Sequence, residues 1–221
     1  MTKDYYIYDI VETLKLHSDD SDVTYEHISF LIDDVRSLLL RQKYDTIGSI
    51  IPMKVRQTIY MDLALVDDNV FMSTDKILSS TTALPKLVES FNFMKYFRVD
   101  TGGENTFRVH YVPIERFPYV GFNNLLKDLV YVTIGQDNKL IFKGYSSKHR
   151  LLENVRVFAI FENPEEAWKV SSTYDNSKNF NSDIEYPIDL DMWVTMKEII
   201  IKQLGLILQN PGDKNNNADE S

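Results

Sequence analysis

The chain has 221 residues, 43% apolar and 12% aromatic, enough for one substantial domain or two small ones built around a real core. Its 33 acidic side chains outnumber 24 basic ones for a net charge of -9, which argues against a protein that clings to phosphate by general electrostatics. With no cysteine, neither a disulfide framework nor a thiolate metal site can form, and an intracellular assembly route fits best.

In chain order, residues 3–16 place Tyr6, Ile10, Val11 and Leu14 near one helical face. The run Ser18–Asp22 then supplies Ser and Asp suited to an N-cap. A second helix is expected from Thr24 to Lys43, with Ile28, Leu31, Ile32, Val35, Leu38 and Leu39 inward and Glu26, Asp33, Arg36 and Arg41 toward water. From Ile50 the period changes. MKVRQTIYMDLALVD alternates as a strand does, and DTGGENT between FRV and FRVHYV reads as the turn of a hairpin. LVYVTIG, KLIFKGY and VRVFAIF add strands, with GQDN as the turn between the first two; residues 70–90 read as loop plus strand. A last helix is expected from Ile188 to Leu208, about 30 Å long at 1.5 Å per residue.

Charge divides the same way. Residues 1–49 carry 5 basic and 10 acidic side chains, residues 50–158 carry 14 and 11, and residues 159–221 carry 5 and 12. The expected fold is therefore α+β, with N-terminal and C-terminal helices forming a helical body and an inserted, mostly antiparallel β-rich unit. The expected divisions are a helical hairpin at 1–49, the β-rich unit at 50–158, a linker with the C-terminal helix at 159–209 and a polar tail at 210–221.

Motifs of catalysis are sparse. Asp100-Thr101-Gly102 matches the short aspartic-protease signature, but a single copy cannot supply two carboxylates sharing a proton, and a Gly-Gly hairpin tip explains it more simply. His17, His27, His110 and His149 show no metal-ligand spacing, and no phosphate-binding loop, dinucleotide fingerprint or nucleophile elbow is present, so no cofactor or metal is implied. Lys143, Lys148, Arg150 and Arg156, with Phe142 and Tyr145, form the densest basic and aromatic cluster, able to meet DNA phosphate or an acidic protein; as basic residues on a strand they equally form a solvated face. No signal segment opens the sequence, and no apolar run approaches the ~18 residues of a membrane span.

The C-terminal helix is apolar on more than one face: Met192, Met196, Ile199 and Ile200 on one flank, and Val194, Ile201 and Leu208 on another. One subunit's core can bury only one of these, so the surplus face is expected to meet another molecule.

The strand-and-turn VRVFAIFENPEEA, the entry YPIDLDMW and the helix running into NPGDKNNNADE resemble the end of head-tail adaptor proteins of crAss-like tailed bacteriophages. VRQTIYMDLALVD resembles the segment after the N-terminal helices in those proteins, so the likeness spans the chain from about Val23 onward. The resemblance implies a structural virion protein, not an enzyme: a connector ring subunit that docks on the portal and joins the DNA-filled head to the tail. It implies a homo-oligomeric ring following the portal's twelvefold symmetry, other neck and tail ring proteins as partners, double-stranded DNA in passage, and assembly in the host cytoplasm. Under it, Met192, Met196, Ile199, Ile200, Ile201, Leu204, Leu208, Asn210, Pro211 and Asp213 are the expected subunit or portal interface, residues 210–221 an arm ordered on docking, and the acidic balance a wall along which DNA slides. The rival readings are another neck or tail-completion ring protein, and a hydrolytic enzyme with convergent titratable groups.

Overall fold

The computed structural model describes residues 1–15, 23–45, 50–67, 76–88, 97–102, 107–121, 124–126, 129–144, 151–171 and 184–208. Helix α1 (Lys3–Lys15) buries Tyr6, Ile7, Ile10 and Leu14, and helix α2 (Tyr25–Tyr44) buries Ile28, Ile32, Val35, Leu39 and Leu40, as a 3.6-residue period requires. The proposed capping run Ser18–Asp22 lies outside the described residues; the cap is Thr24, whose hydroxyl accepts from His27 N at 3.3 Å. Two positions on α2 reverse the expectation. Leu38 is exposed and Arg36 is fully buried, because Arg36 sits four residues after Ile32 and four before Leu40, within the inward stripe. It stays there because two acceptors wait for it: Arg36 Nε donates to Pro187 O at 2.8 Å and Nη1 to Phe161 O at 2.9 Å.

The expected helical body with an inserted β-rich unit is corrected by the sheet. Seven strands close into a barrel, β1 (Gln57–Asp67), β2 (Lys76–Ser80), β3 (Phe97–Thr101), β4 (Arg108–Tyr111), β5 (Val130–Ile134), β6 (Leu140–Gly144) and β7 (Asn154–Ala159), in the order β1-β2-β6-β5-β4-β3-β7. The architecture is a β-barrel domain carrying helices, since closure pairs each strand with two neighbours along part of its length and gives the sheet a core of its own. All neighbours are antiparallel except β4 and β5. Alternate residues fill the interior: Ile59 and Met61, Phe97 and Val99, Val130 and Val132, Leu140 and Phe142, Val155, Val157 and Ala159. The predicted GQDN turn is present, with Asn138 at φ 58 and Gly135 N donating to Lys139 O at 2.8 Å. The β3–β4 hairpin pairs as predicted, although the middle of its turn, 103–106, lies outside the described residues. At its edge Gly102 N donates to Asn154 O at 3.1 Å, and a Cβ at residue 102 would stand 3.1 Å from that same carbonyl, which favours glycine there.

The long strand β1 changes partners midway. Gln57–Asp62 pairs with β7 and Leu63–Asp67 with β2, which leaves the first half without β2 beside it. Helix α3 (Pro164–Val170) and its following residue take that place: Tyr60 N donates to Ser171 Oγ at 3.1 Å, and Gln57 Nε2 to Pro164 O at 2.9 Å. Asn163 caps α3 by accepting from Glu165 N and Glu166 N, with Pro164 at the first helical turn where its missing N–H loses nothing.

Helix α4 (Leu190–Leu208) lies with α1 and α2 in one apolar cluster that also takes in Val55, Val88 and Ile160 from around the barrel. Tyr186 and Ile188, just before α4, are part of it; Tyr186 donates to Asp33 at 2.7 Å, and Asp33 also receives Lys3 at 2.7 Å. Asp189 anchors the start of α4. Its buried carboxylate receives Tyr44, Lys43 at 3.2 Å and Lys54 at 2.8 Å. Burial pushes the Asp189 carboxyl up, but the hydrogen bonds from Lys54, Tyr44 and Lys43 outweigh it and hold it below its ordinary value.

Two outcomes follow from these anchors. Arg36→Met should lower unfolding stability by about 2–4 kcal/mol, because two buried carbonyls lose their donors; urea titration reads it, and a loss below about 0.5 kcal/mol would show that the guanidinium holds nothing together. For Asp189 the folded value is depressed, so its contribution is complete above the unfolded value of 3.8 and is lost as pH falls through the lower folded one. Asp189→Asn should therefore be less stable at neutral pH and lose less on acidification below that value. Parallel stability-against-pH curves for parent and variant would contradict this.

Candidate assembly surfaces

Among the described residues no group of three or more His, Asp or Glu side chains is placed to hold a metal ion, and no helix there is long and apolar enough to cross a membrane. His17 and His149 lie outside the described residues. Asp100, of the Asp-Thr-Gly triplet, is buried on the barrel's outer face and committed to arginine: Arg98 Nε and Nη2 reach it at 2.8 and 2.7 Å, and Arg156 Nη2 at 3.8 Å. A carboxylate so paired serves as a structural counter-ion to the two arginines.

The faces of α4 sort the predicted interface residues. Met192, Met196, Ile200 and Leu204 recur every fourth position and are buried in the subunit's own core, with Ile200 at 0% exposure. Ile199 is half-buried against the same cluster. Ile201 is half-buried on the other side of the helix, where Leu190 and Val194 are 55% and 62% exposed. The side chain of Leu208, and residues Asn210, Pro211 and Asp213 with the whole 210–221 tail, lie outside the described residues. Helix α1 flanks α4: Tyr6 stacks on Trp193 with ring centroids 4.1 Å apart, and Lys197 pairs with Asp9 at 2.8 Å. Its Tyr5 and Tyr8 are exposed, as are Leu190 and Val194 on α4, so apolar groups reach solvent on both joined helices.

The predicted basic cluster does not form one patch on what is described. Lys148 and Arg150 lie outside it. Lys143, on the outside of β6, donates to Pro118 O at 2.8 Å, whereas Arg156 is on β7, separated from β6 by β1 and β2 on one side and by β5, β4 and β3 on the other. Arg156 instead has neighbours that sequence reasoning missed. Cross-strand register sets Arg98 beside Phe158, Asp100 beside Arg156 and Arg108 beside Asp100, all pointing away from the barrel interior. Arg56, just before β1, completes the set: burial and the nearby Arg98 charge both push its guanidinium down. The guanidinium groups of Arg98 and Arg156 lie 5.6 and 4.7 Å from the centre of the Phe158 ring. The period-2 spacing of Arg98 with Asp100, Arg108 with His110 and Arg156 with Phe158 was readable; that the three pairs share a face needed the register.

A groove of about 280 Å³ runs along α2 where it meets the start of α3, lined by Phe30, Asp33, Asp34, Leu38, Arg41 and Glu162 among others. Phe30 is 65% exposed and Leu38 43%. Asp33 is already bonded to Lys3 and Tyr186, and Glu162 pairs with Lys86 at 2.9 Å, while Asp34 is exposed between the two apolar side chains.

Comparison with known proteins finds matches along nearly the whole length of the chain. A family model described as phage tail ring protein 2 matches residues 6–221. "Ring protein 2" of Bacteroides phage crAss001 is 32% identical over 223 residues, covering 100% of this chain and 97% of that protein.

Proposed function

Because the chain belongs to the phage tail ring protein 2 family of crAss-like phages, whose members are structural virion proteins and not enzymes, we propose that it is a subunit of the ring connecting head and tail. In this reading copies of the chain form a closed ring, twelvefold where it follows the portal, that docks on the portal protein, meets other neck and tail ring proteins and leaves a channel for the genome. Assembly takes place in the host cytoplasm. The observation that carries the reading is the division of α4 into a fully buried stripe, Met192, Met196, Ile200 and Leu204, and an outward apolar stripe, Leu190, Val194 and Ile201. A helix that has already satisfied its own core and still presents apolar surface is suited to burial against a second molecule. The net charge of -9 suits a channel wall, since a basic lumen would hold the passing duplex through its phosphates.

The two stripes respond differently to charge. Ile200→Asp should unfold the chain, since an unpaired buried carboxylate costs several kcal/mol. Ile201→Asp and Val194→Asp should keep the circular dichroism of the parent yet be missing from particles when supplied to a phage lacking the chain, because docking would have to bury the new charge. Normal incorporation of both would remove the α4 face from the interface. The level of the ring is read separately, by a reconstruction of the virion neck: density for this chain against the portal is expected, and contact with tail components alone would replace the portal-docking reading with that of a tail-completion ring.

A further inference from the structure

The strands β1, β7, β3 and β4 together present an outer surface with an unusual charge for this chain. It carries Arg56, Arg98, Arg108 and Arg156 against two aspartates, Asp100 and Asp62, while the chain as a whole has a net charge of -9. Like charges are held close here: burial first, and then the nearby Arg98 charge, push the Arg56 guanidinium down. They are also held still. Asp100 grips Arg98 through two bonds, and Arg98 and Arg156 both lie against Phe158, so little side-chain freedom remains to be lost when an acidic surface arrives. Tyr60, opposite Arg156, adds a second ring to the surface.

The same molecule carries a surface of the opposite character. The α2 groove is lined by three carboxylates, of which Asp33 is paired with Lys3 and Glu162 with Lys86 while Asp34 is exposed, and by one arginine, Arg41, with exposed Phe30 and Leu38 beside Asp34 and exposed Glu166 in the first turn of α3. The groove uses residues of α2 and the start of α3, and the arginine surface uses the outside of the barrel, so the two share no residue. Two complementary and non-overlapping patches on one subunit are what a heterologous, ring-closing contact requires.

We infer that the arginine face of the barrel docks into the acidic α2 groove of a second copy of this chain, with Arg108 and the outer edge of Arg156 meeting Asp34 and Glu166, and Tyr60 and Phe158 covering Phe30 and Leu38. This inference rests on the ring reading above and adds which surfaces close the ring. Duplex DNA is the less favoured occupant. Two guanidinium nitrogens of Arg98, its Nε and Nη2, are already bonded to Asp100, whose carboxylate sits in the middle of the patch and would repel a phosphate.

The test is a charge swap in a phage lacking the chain, complemented with the full-length protein. Arg108→Glu and Asp34→Arg are both at exposed positions and should fold, as circular dichroism of each purified chain checks. Each alone should lower the amount of chain in purified particles, and the titre, by about tenfold or more. Both changes in one chain should restore them to within a few-fold of the parent, as should the two single variants supplied together, since either combination sets a negative face against a positive one. Parent-level incorporation of either single variant would overturn the inference. So would a double variant as deficient as the singles, which would assign the arginine face to a different acidic surface. Particles with a full complement of Arg108→Glu chain but defective DNA delivery would overturn it in favour of the duplex. Absence of the parent chain from purified particles is a different failure: it would remove the ring reading itself.

Discussion

The arrangement turns on a buried guanidinium whose hydrogen bonds go to backbone carbonyls. Arg36 donates to Phe161 O, 125 residues away in sequence, and to Pro187 O, 151 residues away. The first acceptor lies just beyond the last barrel strand and the second just before α4, so a side chain on α2 ties the end of the barrel to the entry of the C-terminal helix. Burial pushes the Arg36 guanidinium down, and the Asp33 and Tyr186 groups nearby act in the opposite direction. The Tyr186 ring lies 5.5 Å from the guanidinium carbon and covers it. Apolar packing between helices and barrel has no strong directional preference, whereas two hydrogen bonds from one planar group fix an orientation.

That orientation decides what the molecule shows to others. Once α2 is turned so that Arg36 faces inward, Phe30, Asp34 and Leu38 are left on the outside as the wall of the groove. Once the Tyr186–Asp189 segment is held by Arg36, Asp33, Tyr44, Lys43 and Lys54, α4 starts in a direction that buries its Met192–Leu204 stripe and leaves Leu190 and Val194 outside. The interface candidates are thus the remainder of a core problem. Among the described residues each of the three long helices leaves apolar side chains exposed, and the polar anchors choose which ones.

The barrel contributes rigidity and charge. A closed sheet has no free edge and pairs every strand with two neighbours, so side chains on its outside hold their spacing. Guanidinium groups on such a surface are a fixed array, unlike lysines on a loop. The acids are concentrated in the terminal segments, and the basic excess in the middle segment that forms the barrel. In a single copy this separation does little. In a ring it can give each subunit a front and a back.

Local features were legible along the chain. A period of 3.6 placed Tyr6, Ile10 and Leu14, then Ile28, Ile32 and Val35, then Met192, Met196 and Ile200 on helical faces, and turn chemistry placed GQDN and the β3–β4 hairpin. Two of the motifs that carried the family resemblance, FENPE and YPI, contain the two carbonyls that Arg36 holds, Phe161 and Pro187, although nothing in either motif names its donor. The remaining features depend on contacts between distant segments. Alternation tells which residues of a strand point inward but not which strand lies beside it, so neither the closure in the order β1-β2-β6-β5-β4-β3-β7 nor the gathering of Arg98, Arg108 and Arg156 around Asp100 could be read off the chain. For the same reason Arg36 read as solvent-facing and Leu38 as core: composition favours a buried leucine and an exposed arginine, and only acceptors more than a hundred residues away, Phe161 and Pro187, reverse that preference.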